Sequence, residues 1–145
     1  MNIMRGNVIY ADLGQHPNEC DSRQSGVRPC VVVSNPKSRI LNVCPCSTRT
    51  DKKYNPVHVE ILAKDIKGYP MKKSVVMIEQ IVPIDRRLVK SKIGYICNKE
   101  VMSAIDAAIR IQLGIKEEAD GSEELRKRPW CLYQRTSVQL QEQPC

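Results

Sequence analysis

Two short stretches hold side chains that could act on a phosphate: Gly26-Val27-Arg28-Pro29 and Cys44-Pro45-Cys46-Ser47-Thr48-Arg49-Thr50. Arg28 presents a rigid, planar fork of donors suited to paired phosphate oxygens. Pro29 stiffens the backbone beside it. Ser47 and Thr48 add hydroxyls able to donate to a phosphate oxygen, and Arg49 adds a second guanidinium. Lys52, Lys53 and Tyr54 follow. Cations interleaved with an aromatic suit the backbone of a single-stranded nucleic acid with a base to stack. Taken singly, the first stretch also reads as a surface arginine at a strand mouth, and the second as a solvated turn.

Other chemistries find little support. There is no Gly-x-Ser-x-Gly turn, no Gly-x-Gly-x-x-Gly and no P-loop, which disfavours nucleotide-dependent enzymes. His58 could serve as a base, but it alternates with Val57 and Val59, which must face the opposite way, and it reads first as a polar strand residue. The seven cysteines are odd in number. Cys44-Pro45-Cys46 is not a Cys-x-x-Cys, and His16 and His58 stand alone, so no metal or cofactor is expected and most thiols should be small buried hydrophobes. No apolar run approaches a membrane span, and residues 1–12 lack the apolar core of a signal peptide. The expectation is a cytoplasmic protein with reduced thiols.

The formal net charge is +7, unevenly spread. Residues 116–145 carry five basic and six acidic side chains, so the first 115 residues hold a surplus of eight positive charges. A basic body favours a polyanion or an acidic partner protein. The 145 residues suggest one domain at 1–115 and a polar, flexible tail at 116–145, with a local Trp130-Cys131-Leu132-Tyr133 cluster.

Several elements must position those side chains. Residues 5–12 alternate as a strand, and 13–27 form a long polar loop of the kind that often carries function. Residues 30–34 form a continuous apolar run, which predicts a strand buried on both faces, with 40–46 as its hairpin partner. Residues 57–61 and 74–84 predict two further strands, and 85–92 a short helical turn. One helix is clear at 98–113: Asn98 caps it, Gly114 stops it, and Val101, Met102, Ile105, Ala108, Ile109 and Leu113 share a face. Short strands followed by one late helix imply a mostly β fold: a small, curved, barrel-like sheet with a packed helix.

The order of these segments resembles the MazF/PemK toxins. Arg5-Gly-Asn-Val-Ile-Tyr-Ala-Asp-Leu13 looks like the family's opening strand. Residues 26–35 resemble its Gly-x-Arg-Pro signature with a Val-rich strand and closing Asn. Pro45-Cys46-Ser47-Thr48 stands where the family has Pro-x-Thr, and residues 57–61 and 74–81 follow in order, the latter holding the Glu79-Gln80 pair. The resemblance covers roughly residues 4–115.

It implies an SH3-like barrel of the CcdB/MazF type with a C-terminal helix. It also implies a homodimer that cuts single-stranded RNA, mRNA above all, without a metal, leaving a 2′,3′-cyclic phosphate and a 5′-hydroxyl. Its partner would be an antitoxin with an acidic, disordered segment, and DNA would be met only through that complex. By this resemblance Arg28 is catalytic, and the family's Thr falls on Ser47 or, one residue on, Thr48. Arg49, Lys52 and Lys53 would track the RNA, and Ser74 and Gln80 match positions that contact bases or sugars. Glu79 could serve either the interior or the dimer. The 13–27 loop would gate the groove, without the aromatic residue it carries in the family. Two other readings fit the same fold: a toxin that binds a protein such as gyrase without cutting RNA, and an inactive nucleic-acid-binding homologue.

Overall fold

The computed structural model describes residues 1–18, 20–49, 54–68 and 71–116. Eight strands precede one helix: β1 (Asn7–Asp12), β2 (Val27–Val32), β3 (Ile40–Ser47), β4 (His58–Ile61), β5 (Ile66–Gly68), β6 (Ser74–Met77), β7 (Val82–Asp85), β8 (Val89–Ile96) and α1 (Lys99–Leu113). They form one sheet in the order β4-β6-β3-β2-β1-β8-β5, with β7 also on β3. Laid flat, the seven strands of that path would separate its ends by about 29 Å. Yet β4 ends at Ile61 and β5 begins at Ile66, a stretch that spans at most about 18 Å. The sheet must therefore curl into the expected barrel-like shape.

Curling gives the central strands two buried faces. On β2, Val31 packs into one apolar cluster with Val8, Cys44, Cys46 and α1, whereas Cys30 and Val32 pack into a second with Ile9, Leu41, Val43 and Ile84. This explains the continuous apolar run: from Cys30 to Val32 neither face of β2 meets water. Each fully buried valine stabilises the fold by roughly 1.5–3 kcal/mol before the entropy of ordering it.

The helix begins where the Asn98 side chain accepts from the Glu100 amide at 3.0 Å, and it ends at Gly114 in the left-handed region (φ 69). Val101, Ile105 and Ala108 are buried against the first cluster. Leu113, expected on that stripe, is instead exposed, as are Ile111 and Ile115 beside it. Arg5 Nε donates to the Val33 carbonyl at 2.9 Å while its terminal nitrogen pairs with Asp106, tying α1 to the sheet.

Three elements differ from expectation. Residues 74–84 are two strands: β6 pairs with β4 and with the end of β3, a single turn of 3-10 helix intervenes at 78–80, and β7 pairs with the start of β3. The Val and Ile content of 74–84 reads as one strand, and the change of partner along β3 is what separates the two at Glu79 and Gln80. Pro83 is tolerated because β7 is an edge strand. The helical turn expected over 85–92 is confined to Arg86–Leu88, and the chain then enters the long strand β8, pairing with both β1 and β5. Its exposed Lys90-Ser91-Lys92 run hides the strand from a hydrophobicity pattern. The short strand β5 was also not expected. The tail expected at 116–145 lies, beyond Lys116, outside the described residues.

Candidate active site

Arg28 stands near the start of β2, opposite Ala11 of β1. It is half-buried, and its Nε donates to the Ser25 carbonyl at 2.8 Å. That bond holds the plane of the guanidinium and occupies only one of its five donors. Strands β2 and β3 pair antiparallel, with Cys30 opposite Pro45 and Val32 opposite Val43. That pairing ends at Cys30 and Pro45; beyond it Cys46 and Ser47 pair with Val76 and Val75 of β6. By alternation Arg28 shares the face of Cys30 on β2, and Ser47 that of Val43 on β3.

Ser47 closes β3 and opens a turn. Its hydroxyl oxygen accepts from the Arg49 amide at 3.2 Å, and Thr48 and Arg49 are exposed just beyond. A serine turning back on the chain two residues later is a local competitor to strand geometry, which is why β3 stops there. Two hydroxyls and a cation thus gather where β3 leaves the sheet. Lys52 and Lys53 lie outside the described residues. Tyr54 is 92% exposed and lies, with Pro56 and His58, at one end of an open groove of about 500 Å3 between β4 and α1. An aromatic ring left this exposed is available to stack.

The 13–27 loop rises beside the site. Its base is a short ladder: the Leu13 amide donates to Gly26 at 2.9 Å, and the Gly26 amide to Gly14 at 2.7 Å. Higher up, Arg23 pairs with Asp21, and the guanidinium holds that carboxyl well below the usual range. Between the loop and the 78–82 segment lies a cleft of about 160 Å3, walled by Arg23 and Gln24 on one side and by Pro45, Gln80 and Val82 on the other.

Ser74 and Gln80, which the resemblance sets against RNA, each have partners within the fold. Ser74 is 1% exposed, and its hydroxyl donates to the Lys72 carbonyl at 2.7 Å, so the fold itself uses that donor. Gln80 spends both amide atoms on the loop: Nε2 donates to Ser22 O at 2.9 Å, and Oε1 accepts from the Gln24 amide at 3.1 Å. Glu79 turns inward and meets His58, with Nε2 to Oε1 at 2.6 Å. The pair ties β4 to the 78–80 turn and gives both residues a partner within the fold. Sequence reasoning raised each of them but had no means to pair residues 21 positions apart.

Three of the thiols, those of Cys30, Cys44 and Cys46, are buried, whereas Cys20 is exposed. Burial pushes Cys30 and Cys44 up to about 12, and Cys46 higher still. None is a nucleophile at neutral pH.

Solved structures define the class. An endoribonuclease from a mycobacterial species, in complex with its cognate antitoxin, matches with TM-score 0.61 at 19% identity, over 81% of this chain and 100% of that one. MazF from Deinococcus radiodurans matches with TM-score 0.62 at 18% identity, over 78% and 97%. At such identities the likeness is one of fold, the MazF type: a mostly β, half-barrel sheet with one C-terminal helix. Sequence narrows this further. The family model for the PemK-like, MazF-like toxin of type II toxin–antitoxin systems matches residues 4–113. Endoribonuclease EndoA of Bacillus subtilis (strain 168) is 33% identical over 120 residues, which are 79% of this chain and 97% of that protein. The chain belongs to the PemK-like, MazF-like toxin family.

Proposed function

We propose that this toxin is a sequence-selective endoribonuclease that cuts single-stranded RNA, mRNA in the cell, without a metal, with Arg28 at the scissile phosphate. The observation that carries the reading is the tethered guanidinium: Nε is fixed on Ser25 O, which leaves the terminal nitrogens to face a phosphodiester. The ribose 2′-oxygen attacks the adjacent phosphorus, the bond to the 5′-oxygen breaks, and a 2′,3′-cyclic phosphate and a 5′-hydroxyl result. The 2′-proton passes to solvent water as the attack proceeds, and the departing 5′-oxygen takes a proton from Arg28, which regains one from solvent. Arg28 stabilises the dianionic phosphorane and donates toward the leaving oxygen. A guanidinium that loses its proton only above about pH 12 is a poor base and a good donor. Ser47 supplies a hydrogen bond to a non-bridging oxygen, with Thr48 beside it as the alternative hydroxyl.

Arg49 is exposed and tracks the backbone, with Lys52 and Lys53 continuing the cationic path and Tyr54 offering a stacking face. A basic body of net +8 over residues 1–115 suits both RNA and the acidic, disordered segment of a cognate antitoxin. The working form is a cytoplasmic homodimer, with the RNA groove shared between its subunits. DNA is met only through the antitoxin complex. No helix among the described residues is long and apolar enough to cross a membrane.

The test is primer extension on RNA incubated with the full-length protein, with and without EDTA, alongside Arg28→Ala. Cleavage that survives EDTA and falls at least ~100-fold in Arg28→Ala supports the reading. Intact RNA, or cleavage indifferent to Arg28, ends it.

A further inference from the structure

We infer that Gln80 is a positioning residue: its amide latches the 13–27 loop so that Ser25 holds Arg28 in its working orientation. The inference rests on the nuclease reading of Arg28. It reassigns Gln80, which the family resemblance sets against RNA.

The latch can be followed atom by atom. The 78–80 turn is a rigid base, for Ile78 donates to the Val57 carbonyl at 3.0 Å, Ile81 donates back to Ile78 at 3.1 Å, and Glu79 is gripped by His58. From this base Gln80 reaches the loop 56 to 58 residues earlier in the chain, through two hydrogen bonds to backbone. Its partners dictate which amide atom goes where: the Ser22 carbonyl requires the nitrogen and the Gln24 amide requires the oxygen. The amide therefore imitates one rung of a β ladder, where no strand is available to pair. One residue beyond Gln24 is Ser25, whose carbonyl accepts from Arg28 Nε. The next residue, Gly26, is already tied to the sheet through Leu13 and Gly14. Ser25 is thus held on both sides, by Gln80 through Gln24 and by the sheet through Gly26. Without Gln80 one of these supports is lost, and the acceptor that fixes the guanidinium plane is free to swing.

The consequence is kinetic. A positioned guanidinium lowers the barrier only in the right geometry, and a displacement of about 1 Å can cost about 100-fold in rate. Binding of the RNA backbone by Arg49 and its neighbours is unaffected. Loss of Gln80 should therefore lower kcat and spare KM.

The experiment compares wild type, Gln80→Ala and Gln80→Glu as full-length proteins. The substrate is an RNA oligonucleotide bearing the cut site mapped by 5′-end sequencing, and the binding probe is its all-2′-deoxy counterpart, which cannot be cut. Amide hydrogen exchange reads the loop directly, because the Gln24 amide is one of the two bonds in question. In Gln80→Ala, kcat should fall ~100-fold, KM and affinity for the deoxy probe should stay within about twofold of wild type, and the Gln24 amide should lose protection. Gln80→Glu keeps the acceptor for Gln24 and sets a carboxylate against the Ser22 carbonyl, so it should retain that protection and an intermediate kcat. Three outcomes overturn the inference: reduced cleavage with Gln24 still protected, KM rising and probe affinity falling in step with the loss of activity, or a loosened loop with full activity. The first two return Gln80 to direct RNA contact. A wild-type protein that cuts no RNA refutes the nuclease reading itself, and the positioning role with it, whatever the exchange data say of the latch.

Discussion

Removing the Asp65 carboxylate should be among the most damaging single changes outside the apolar core. Asp65 is 4% exposed and lies in the connection between β4 and β5. Oδ2 accepts from the Leu62 amide at 2.9 Å, and Oδ1 accepts from Asn98 Nδ2, also at 2.9 Å. Asn98 is in turn the residue that caps α1. One carboxylate therefore holds a tight turn with one oxygen and orients a helix cap with the other. A hydrogen bond to a charged group is worth roughly 1.5–3 kcal/mol net, so Asp65→Ala should cost about 3 kcal/mol even at the low end for each bond. For a domain of this size that is a fall in Tm of about 12 °C. Asp65→Asn should recover little, because its amide nitrogen must face one of two donors, Leu62 N–H or Asn98 Nδ2.

The effect carries a pH signature. The hydrogen bonds from Asn98 and then from the Leu62 amide hold the Asp65 pKa below its ordinary value. A carboxyl with a depressed folded-state pKa stabilises fully above its unfolded value of about 3.9, and that contribution is lost as pH falls through the folded one. Urea titrations of wild type, Asp65→Ala, Asn98→Ala and the double variant, at pH 7 and at steps below pH 4, read both quantities. The gap between wild type and Asp65→Ala should be widest at neutral pH and close in acid. A loss under about 1 kcal/mol at pH 7 refutes the argument, as does a cycle in which Asp65 and Asn98 add independently, since residues sharing a bond should couple.

Other expectations are more direct. Arg28→Lys keeps the charge but loses the Ser25 tether and the planar fork, and should cut RNA ~100-fold more slowly in a single-turnover assay; wild-type rates would reduce the requirement to charge alone. Gly94→Ala should destabilise by more than about 2 kcal/mol in a thermal melt, because a Cβ there would lie 2.2 Å from the Lys67 carbonyl oxygen on β5; an unchanged Tm would mean that β5 and β8 separate easily. At pH 8, mass spectrometry of alkylated peptides should find exposed Cys20 modified while Cys30 and Cys44, pushed up to about 12, stay unmodified until urea unfolds the sheet. Labelling of Cys30 at the rate of Cys20 would contradict its burial.

Several features were readable before any coordinates, each for a local reason. The β2 apolar run had to be buried on both faces, since four consecutive apolar residues leave no side for water. The helix announced itself through Asn98, Gly114 and a 3.6-residue stripe, whereas Arg28 beside Pro29 became a candidate only through the resemblance. Motif order named the family, because a series of segments in register constrains far more than any one of them. What stayed hidden depends on partners distant in sequence. Strand β8 escaped because its solvent-facing lysines mask a strand whose edges are both paired, and the break at 78–80 escaped because β3 changes partners there. Only the fold could set Glu79 on His58, use up the amide of Gln80 on the loop and bury Ser74. Composition and spacing determine what a side chain is able to do; tertiary structure decides which neighbour it meets, because hydrogen bonds are short-ranged and chain separation says nothing about distance in space.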